Sequence, residues 1–178
     1  MSLSIAAARP SSPMLRAASV RVSRQLRASP ERIFDIWLDA GAARAALLAG
    51  GIGQAVSAEL DARVGGGFRI VHRRGGEQVE YSGEYLGIDR PYRLVFSLFV
   101  ERYAQRDDRV IVELAPVAGQ SLLLLTHELS LPSPAQRSRV QRGWGRVLDG
   151  LAATCREVQT PDSGIMRAAG KKRGRSGI

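Results

Sequence analysis

Residues 56–74, VSAELDARVGGGFRIVHRR, place two alternating segments on either side of three consecutive glycines. Period-two alternation predicts strands with one buried face. In the first segment the apolar positions are Val56, Ala58, Leu60, Ala62 and Val64. A glycine loop that cradles a phosphate must lead into a helix, whereas these glycines lead into the strand that begins at Phe68. The stretch therefore predicts a β-hairpin with the glycines in its turn.

Five further segments have the composition of strands and bring the predicted total to seven. They are VRVSRQLRA (20–28), QVEYSGEYLGI (78–88), RLVFSLFVE (93–101), RVIVELAPV (109–117) and SLLLLTHEL (121–129). In the first of these, Arg24 interrupts an otherwise apolar face. Six strands in direct succession leave no room for crossover helices, so an antiparallel sheet is expected.

Three helices complete the prediction. Ser29 is the expected N-cap of the first, with Pro30 at its first position. The second, AARAALLAG (42–50), should end at Gly50 or Gly51. The third begins at the capping sequence SPAQ (133–136) and continues for about 25 residues. Its apolar face comprises Val140, Trp144, Val147, Leu148, Leu151, Cys155 and Val158.

Glycines at 143, 145 and 150 interrupt this long helix. Each costs about 1 kcal/mol relative to alanine in a helix interior. A close neighbour or a ligand beneath the helix would offset that cost.

Length and charge bound the class of protein. The 178 residues suit one domain, expected over 19–158, between a disordered arm (1–18) and a basic disordered tail (159–178). Of the net charge of +9, only +3 falls within residues 21–160, which argues against a specific nucleic-acid surface. No apolar run is long enough to span a bilayer. The lone Cys155 favours a reducing compartment, and a cytoplasmic location is predicted.

Four motifs in order, across residues 20–157, resemble the START-like (SRPBCC) superfamily. They are ASPERIFDIW, RVGGGF, SGEYL followed by PYRLVF, and THE preceding GWGRVLDGLA. Within that superfamily the chain is similar to the C-terminal domain of activators of the 90-kilodalton heat-shock-protein ATPase, a resemblance that implies a role in the stress response. One departure is ARAALLAGG (43–51), where the family commonly has a second tryptophan after Trp37. Small residues should therefore line the mouth of any cavity there.

The resemblance implies an α+β helix-grip fold. In it, a seven-stranded curved antiparallel sheet wraps around the long C-terminal helix, and two short helices follow the first strand. A cavity lies between sheet and helix. Strand parity and helix period, placed in this fold, predict the side chains that face the cavity and bind a hydrophobic small molecule. They are Phe68, Ile70, His72, Tyr81, Tyr85, Phe96, Leu98, Trp144 and Leu148.

No catalytic residue, metal site or cofactor is predicted. His72 and His127 lie on strands, and either could point inward as a polar group, but a metal site needs at least three convergent ligands. Cys155 lies on an apolar helix face, where a thiol is typically inert.

Three functions follow from the sequence. The first is non-enzymatic binding of a hydrophobic small molecule, and the second is an interaction protein that stimulates a chaperone ATPase. The third is an enzyme of the cyclase or dehydratase type, which would need an acid–base pair in the cavity. Self-association as a homodimer is left open.

Overall fold

The computed structural model describes residues 18–101, 108–130 and 133–157. These residues form ten elements. They are β1 (Ala18–Leu26), α1 (Pro30–Leu38), α2 (Ala40–Ala49), β2 (Gln54–Leu60), β3 (Gly67–Arg74), β4 (Glu77–Asp89), β5 (Arg93–Val100), β6 (Asp108–Val117), β7 (Gln120–Leu129) and α3 (Pro134–Glu157). Ala18 begins β1, while the rest of the predicted arm and the predicted tail (159–178) lie outside the described residues.

All seven strands join one antiparallel sheet in the order β1-β7-β6-β5-β4-β3-β2. Both short helices follow β1. Leu148, Leu151 and Cys155 of α3 pack into the hydrophobic core together with residues of the inner face of the sheet. The predicted α+β helix-grip fold is therefore confirmed.

Helix ends follow the predicted capping. The Ser29 hydroxyl accepts a hydrogen bond from the Arg32 amide, and Pro30 begins α1. The Ser133 hydroxyl accepts from the Gln136 amide at 3.1 Å, and Pro134 begins α3. Capping side chains satisfy backbone donors that a helix start leaves without an intrahelical partner, so these local sequences fix where both helices begin.

Glycines let α2 and α3 cross at close range. A Cβ built on Gly150 would lie 1.8 Å from the carbonyl oxygen of Ala46, and one on Gly50 would lie 2.1 Å from the carbonyl oxygen of Arg146. Gly143 and Gly145 have no atom within 4 Å of such a Cβ. The expectation of a close neighbour therefore holds for Gly150 alone among the three helix glycines.

The turn between β2 and β3 also depends on glycine. Gly65 has a φ of +78°, a left-handed conformation that other residues rarely adopt. A Cβ on Gly66 would lie 2.1 Å from the carbonyl oxygen of Asp61. The three-glycine stretch is a hairpin turn that leads into a strand, as predicted.

The predicted buried face of β2 is wrong in part. A register shift between Ala55 and Ser57 reverses the alternation, so Ala55 is buried while Val56 is exposed. The strand ends at Leu60, which leaves Ala62 and Val64 exposed in the turn. The bulge could not be predicted from the sequence, because the apolar and polar residues alternate without interruption through the position where it occurs.

The charged exception on β1 has a structural explanation. Arg24 Nε donates to Asp149 Oδ1 of α3 at 2.9 Å, so this arginine joins the strand to the helix that crosses it. Both side chains are substantially exposed, and exposed ion pairs contribute little stability. Among the residues described, no helix has the length and hydropathy needed to cross a membrane.

Candidate functional site

A cavity of about 890 Å³ lies between the inner face of the sheet and the helices α2 and α3. Eight of the nine predicted residues line it: Phe68, Ile70, His72, Tyr81, Tyr85, Phe96, Leu98 and Trp144. Leu148 does not, because it is fully buried in the core that holds α3 against the sheet. Exposed residues of α3, including Gly143, border the opening.

Strand register explains why the predicted side chains converge. Ile70 lies opposite Tyr81, and Tyr85 lies opposite Phe96, so the inward positions of β3, β4 and β5 form one continuous surface. Residues directly opposite in antiparallel strands point to the same face. The bulge in β4 falls between Tyr85 and Gly87, beyond the β4 residues that line the cavity. Tyr81 and Tyr85 therefore still point to the same face of the sheet.

Aromatic rings form a connected wall. The ring of Trp144 lies 6.3 Å from that of Trp37, and Trp37 lies 6.1 Å from Phe96. Phe96 meets Phe68 edge-on at 5.5 Å, and Phe68 lies 5.6 Å from Tyr85. Tilted and edge-on ring pairs at these distances are attractive beyond the apolar area that they bury. The wall offers a ligand a large and rigid apolar surface.

A polar group joins α3 to β7 at the cavity wall. Trp144 Nε1 donates a hydrogen bond of 2.9 Å to Nδ1 of His127, whose ring is buried. His127 Nε2 lies 3.2 Å from Oδ2 of Asp108. Because Nδ1 accepts, a neutral His127 carries its proton on Nε2, which is buried without a hydrogen-bond partner among the described residues. Of the two ring nitrogens, Nδ1 is therefore engaged by a hydrogen bond, while Nε2 lies close to the carboxylate without the geometry of one.

Asp108 is held in place by further bonds. Its Oδ1 accepts from the Ser130 amide at 3.3 Å, while its Oδ2 faces His127. In the sheet, Val110 lies opposite His127, so Asp108 is the diagonal neighbour of the histidine on the same face. The carboxylate serves as an acceptor for groups of the fold.

His72 occupies the other polar position predicted from sequence. It is buried, lines the cavity, and its ring centroid lies 4.7 Å from that of Tyr81. His127, considered in the sequence but not included among the predicted site residues, lines the same cavity.

Burial controls the ionisation of Tyr85. Desolvation raises the pKa of its phenol to about 12, because the charged form is disfavoured away from water. At neutral pH the hydroxyl therefore keeps its proton and can donate a hydrogen bond. Burial likewise raises the pKa of the Cys155 thiol, which Arg32 and Arg156 lower to a smaller extent. A protonated, buried thiol is a poor nucleophile.

The charged side chains that line the cavity come mainly from α3. Arg139, Arg142 and Arg146 of α3 line it, and Asp108 is the carboxylate among the lining residues. The carboxylates of the outer sheet face are elsewhere: Glu80, for example, pairs with Arg69 at 2.7 Å. In residues 18–101, 108–130 and 133–157 no three histidine, cysteine or carboxylate side chains converge as a metal site would require.

Sequence reasoning missed Trp37, Asp108 and His127 as lining residues. For His127 the signal was present, since it shares parity with Leu123 and Leu125. Trp37 lies on α1 beside the buried Ile33 and Ile36, and the direction of its side chain depends on how α1 docks. Asp108 had no signal, because its role follows from its register against β7.

Comparisons with known proteins give a family and a fold. The family model described as Activator of Hsp90 ATPase homolog 1-like protein matches residues 27–156. A crystal structure of a protein from Chromobacterium violaceum shares 25% identity at a TM-score of 0.62 and covers 76% of this chain and 96% of that one. No curated protein matches the chain significantly.

Two further solved structures resemble the fold at lower identity. A Rhodobacter sphaeroides protein has a TM-score of 0.67 at 19% identity, with 79% of this chain and 93% of that chain covered. An Hsp90 activator from Plasmodium falciparum has a TM-score of 0.55 at 23% identity, with 71% and 86% covered.

Proposed function

The chain belongs to the activator of Hsp90 ATPase homolog 1-like family, and we propose that it binds a hydrophobic small molecule in the cavity between the sheet and α3. The observation that carries this proposal is a cavity of about 890 Å³ with an aromatic wall. Small-molecule sites typically measure about 300–1,000 Å³ and combine apolar walls with a few polar groups. Here those groups include His72, Tyr81 and Tyr85.

Binding without catalysis agrees best with the polar groups of the cavity. A cyclase or dehydratase would need an acid–base pair that reaches the substrate. The Nδ1 atom of His127 accepts from Trp144, its Nε2 atom is buried 3.2 Å from Asp108, and Asp108 accepts from the Ser130 amide. These contacts favour a structural role for the His127–Asp108 pair. Location in the cytoplasm and a role in the stress response remain expectations of the sequence.

Thermal shift and native mass spectrometry against a panel of hydrophobic metabolites test the proposal. We expect at least one compound to raise the melting temperature and to appear as a bound species. Trp144→Ala and His72→Ala should weaken the effect, because both side chains line the cavity. If no compound binds or stabilises the wild type, the proposal fails.

A matched pair of variants on α2 separates occupation of the cavity from general stability. Ala43 lines the cavity, whereas Ala45 of the same helix is exposed and does not. Ala43→Trp should fill the opening and abolish the ligand-induced shift, while Ala45→Trp should preserve it. Equal shifts in both variants would place the compound elsewhere on the protein.

Family membership supports a second candidate, the stimulation of a chaperone ATPase. The test is the ATPase rate of a purified Hsp90 with and without this protein. A rate increase that saturates with added protein would support a chaperone as partner, and an unchanged rate would leave ligand binding as the proposed function. Size-exclusion chromatography of the protein alone would test the homodimer that the sequence left open.

A further inference from the structure

Charge is distributed unequally around the cavity. Arg139, Arg142 and Arg146 follow one another at spacings of three and four residues, which places them along one side of α3. No ion pair of Arg142 or Arg146 is found within the part of the chain described. These two cations are separated by four residues on a helix, a spacing at which like charges repel. An anion bound between them would relieve that repulsion.

Negative charge in the cavity comes from one side chain among the described residues. Asp108 is the carboxylate that lines it, and its two oxygens face His127 and the Ser130 amide. The acceptor nitrogen of His127 is occupied by Trp144. Among the described lining residues the cavity therefore presents three arginines against one carboxylate, a balance that disfavours a positively charged ligand.

Hydrogen-bond donors are in surplus on the cavity wall. The Trp37 indole nitrogen is buried without a hydrogen-bond partner, and the Tyr85 hydroxyl makes no hydrogen bond with a described residue. Both side chains line the cavity. The buried Trp37 donor would gain most from an acceptor, because an unmade bond leaves the full cost of desolvation. The wall is suited to a molecule that offers acceptor oxygens.

From this arrangement we propose that the ligand is an amphipathic carboxylic acid. Its apolar body lies along the rings of Phe68, Phe96 and Trp144, and its carboxylate lies at the border formed by Arg142 and Arg146. Guanidinium groups suit this head group because their paired N–H donors match the two carboxylate oxygens. The inference rests on the proposed function, since it names the class of molecule that the same cavity binds.

Intrinsic fluorescence provides a direct assay. The sequence contains two tryptophans, Trp37 and Trp144, and both line the cavity, so emission reports on its occupation. The probes are dodecanoic acid, dodecan-1-ol and dodecylamine, titrated below their micelle-forming concentrations. These three molecules share the apolar chain and differ in the head group. We expect the acid to bind most tightly, with an affinity roughly tenfold higher than that of the alcohol. A difference of this size corresponds to about one charge-assisted hydrogen bond.

Charge-neutral variants identify the residues responsible. Arg142→Gln combined with Arg146→Gln should reduce the affinity for the acid to that for the alcohol, both measured in the same variant. Arg137→Gln is the matched control, because Arg137 lies on the same helix and is exposed outside the cavity. It should retain the preference for the acid. Added salt should reduce the preference in the wild type, since exposed charges are screened.

The outcomes separate the two proposals. Equal affinities for acid and alcohol, or a preference that survives in the double variant, would overturn the carboxylate inference while leaving hydrophobic binding intact. Tighter binding of the amine would also overturn it. If none of the three probes changes the emission and no compound of the metabolite panel binds, the proposed function itself is wrong.

Discussion

Trp144 of α3 and His127 of β7 are joined by a hydrogen bond of 2.9 Å from the indole Nε1 to the imidazole Nδ1. The same imidazole directs its other nitrogen toward Asp108 at 3.2 Å. The contact fixes the orientation of a large aromatic side chain at the wall of the cavity. It also engages Nδ1 of a buried histidine, which links the stability of the helix–sheet contact to the shape of the site.

Trp144→Phe should lower the free energy of unfolding by about 1–3 kcal/mol through the hydrogen bond alone, because the buried His127 nitrogen would lose its donor. Lost ring area adds to this cost. A double-mutant cycle with His127→Leu isolates the coupling, measured by urea denaturation followed by far-ultraviolet circular dichroism. If the two substitutions add to within about 0.5 kcal/mol, the hydrogen bond contributes little.

Gly150→Ala and Gly145→Ala should change stability in opposite directions. At Gly150 a Cβ would lie 1.8 Å from the Ala46 carbonyl oxygen, so α2 and α3 must separate, at a cost of about 1–3 kcal/mol. At Gly145 no atom lies within 4 Å, and alanine should stabilise the helix by about 0.5–1 kcal/mol. Melting temperatures of the two variants check the prediction. A stabilised Gly150→Ala protein would contradict the close crossing.

Tyr85 should make the protein less stable at alkaline pH. Its phenol has a folded-state pKa of about 12 against an ordinary value of 10.0, so the unfolded chain releases the proton first. The free energy of unfolding should fall as pH rises from about 10 to 12, by roughly 1–3 kcal/mol. Urea denaturation of wild type and Tyr85→Phe across this range measures the difference.

The control for that experiment is Tyr92→Phe, since Tyr92 is exposed in the turn between β4 and β5. It should follow the wild-type pH profile, whereas Tyr85→Phe should lose stability less steeply. Parallel profiles for Tyr85→Phe and the wild type would show that the phenol is not desolvated.

Cys155 should react slowly with thiol reagents in the native protein. The side chain is 2% exposed and burial raises its pKa, so access and ionisation both limit the reaction. Labelling with Ellman's reagent should become fast only in denaturant, at a rate set by unfolding. Complete labelling within minutes under native conditions would contradict the burial of this thiol.

Local sequence determined which elements form and where most of them begin. Ser29 with Pro30, and Ser133 with Pro134, placed two helix starts because a capping side chain acts on amides of its own first turn. Alternation in β3 placed Phe68, Ile70 and His72 on one face because successive strand residues point to opposite sides. The fold class followed from six strands in succession, together with the motifs that resemble the START-like superfamily.

Only the tertiary structure decided which residues of a buried face line the cavity and which pack in the solid core. Trp144 and Leu148 share one stripe of α3, yet Trp144 lines the cavity and Leu148 is enclosed by the core. The difference depends on where the helix lies over the sheet, which no single element encodes. Asp108 lies close to His127 because of the register of β6 against β7. Val56 is exposed because a bulge in β2 shifts the alternation of the strand. Register, bulges and helix docking are set by contacts between residues that are distant in sequence. They depend on how several elements pack together, and no single strand or helix carries that information.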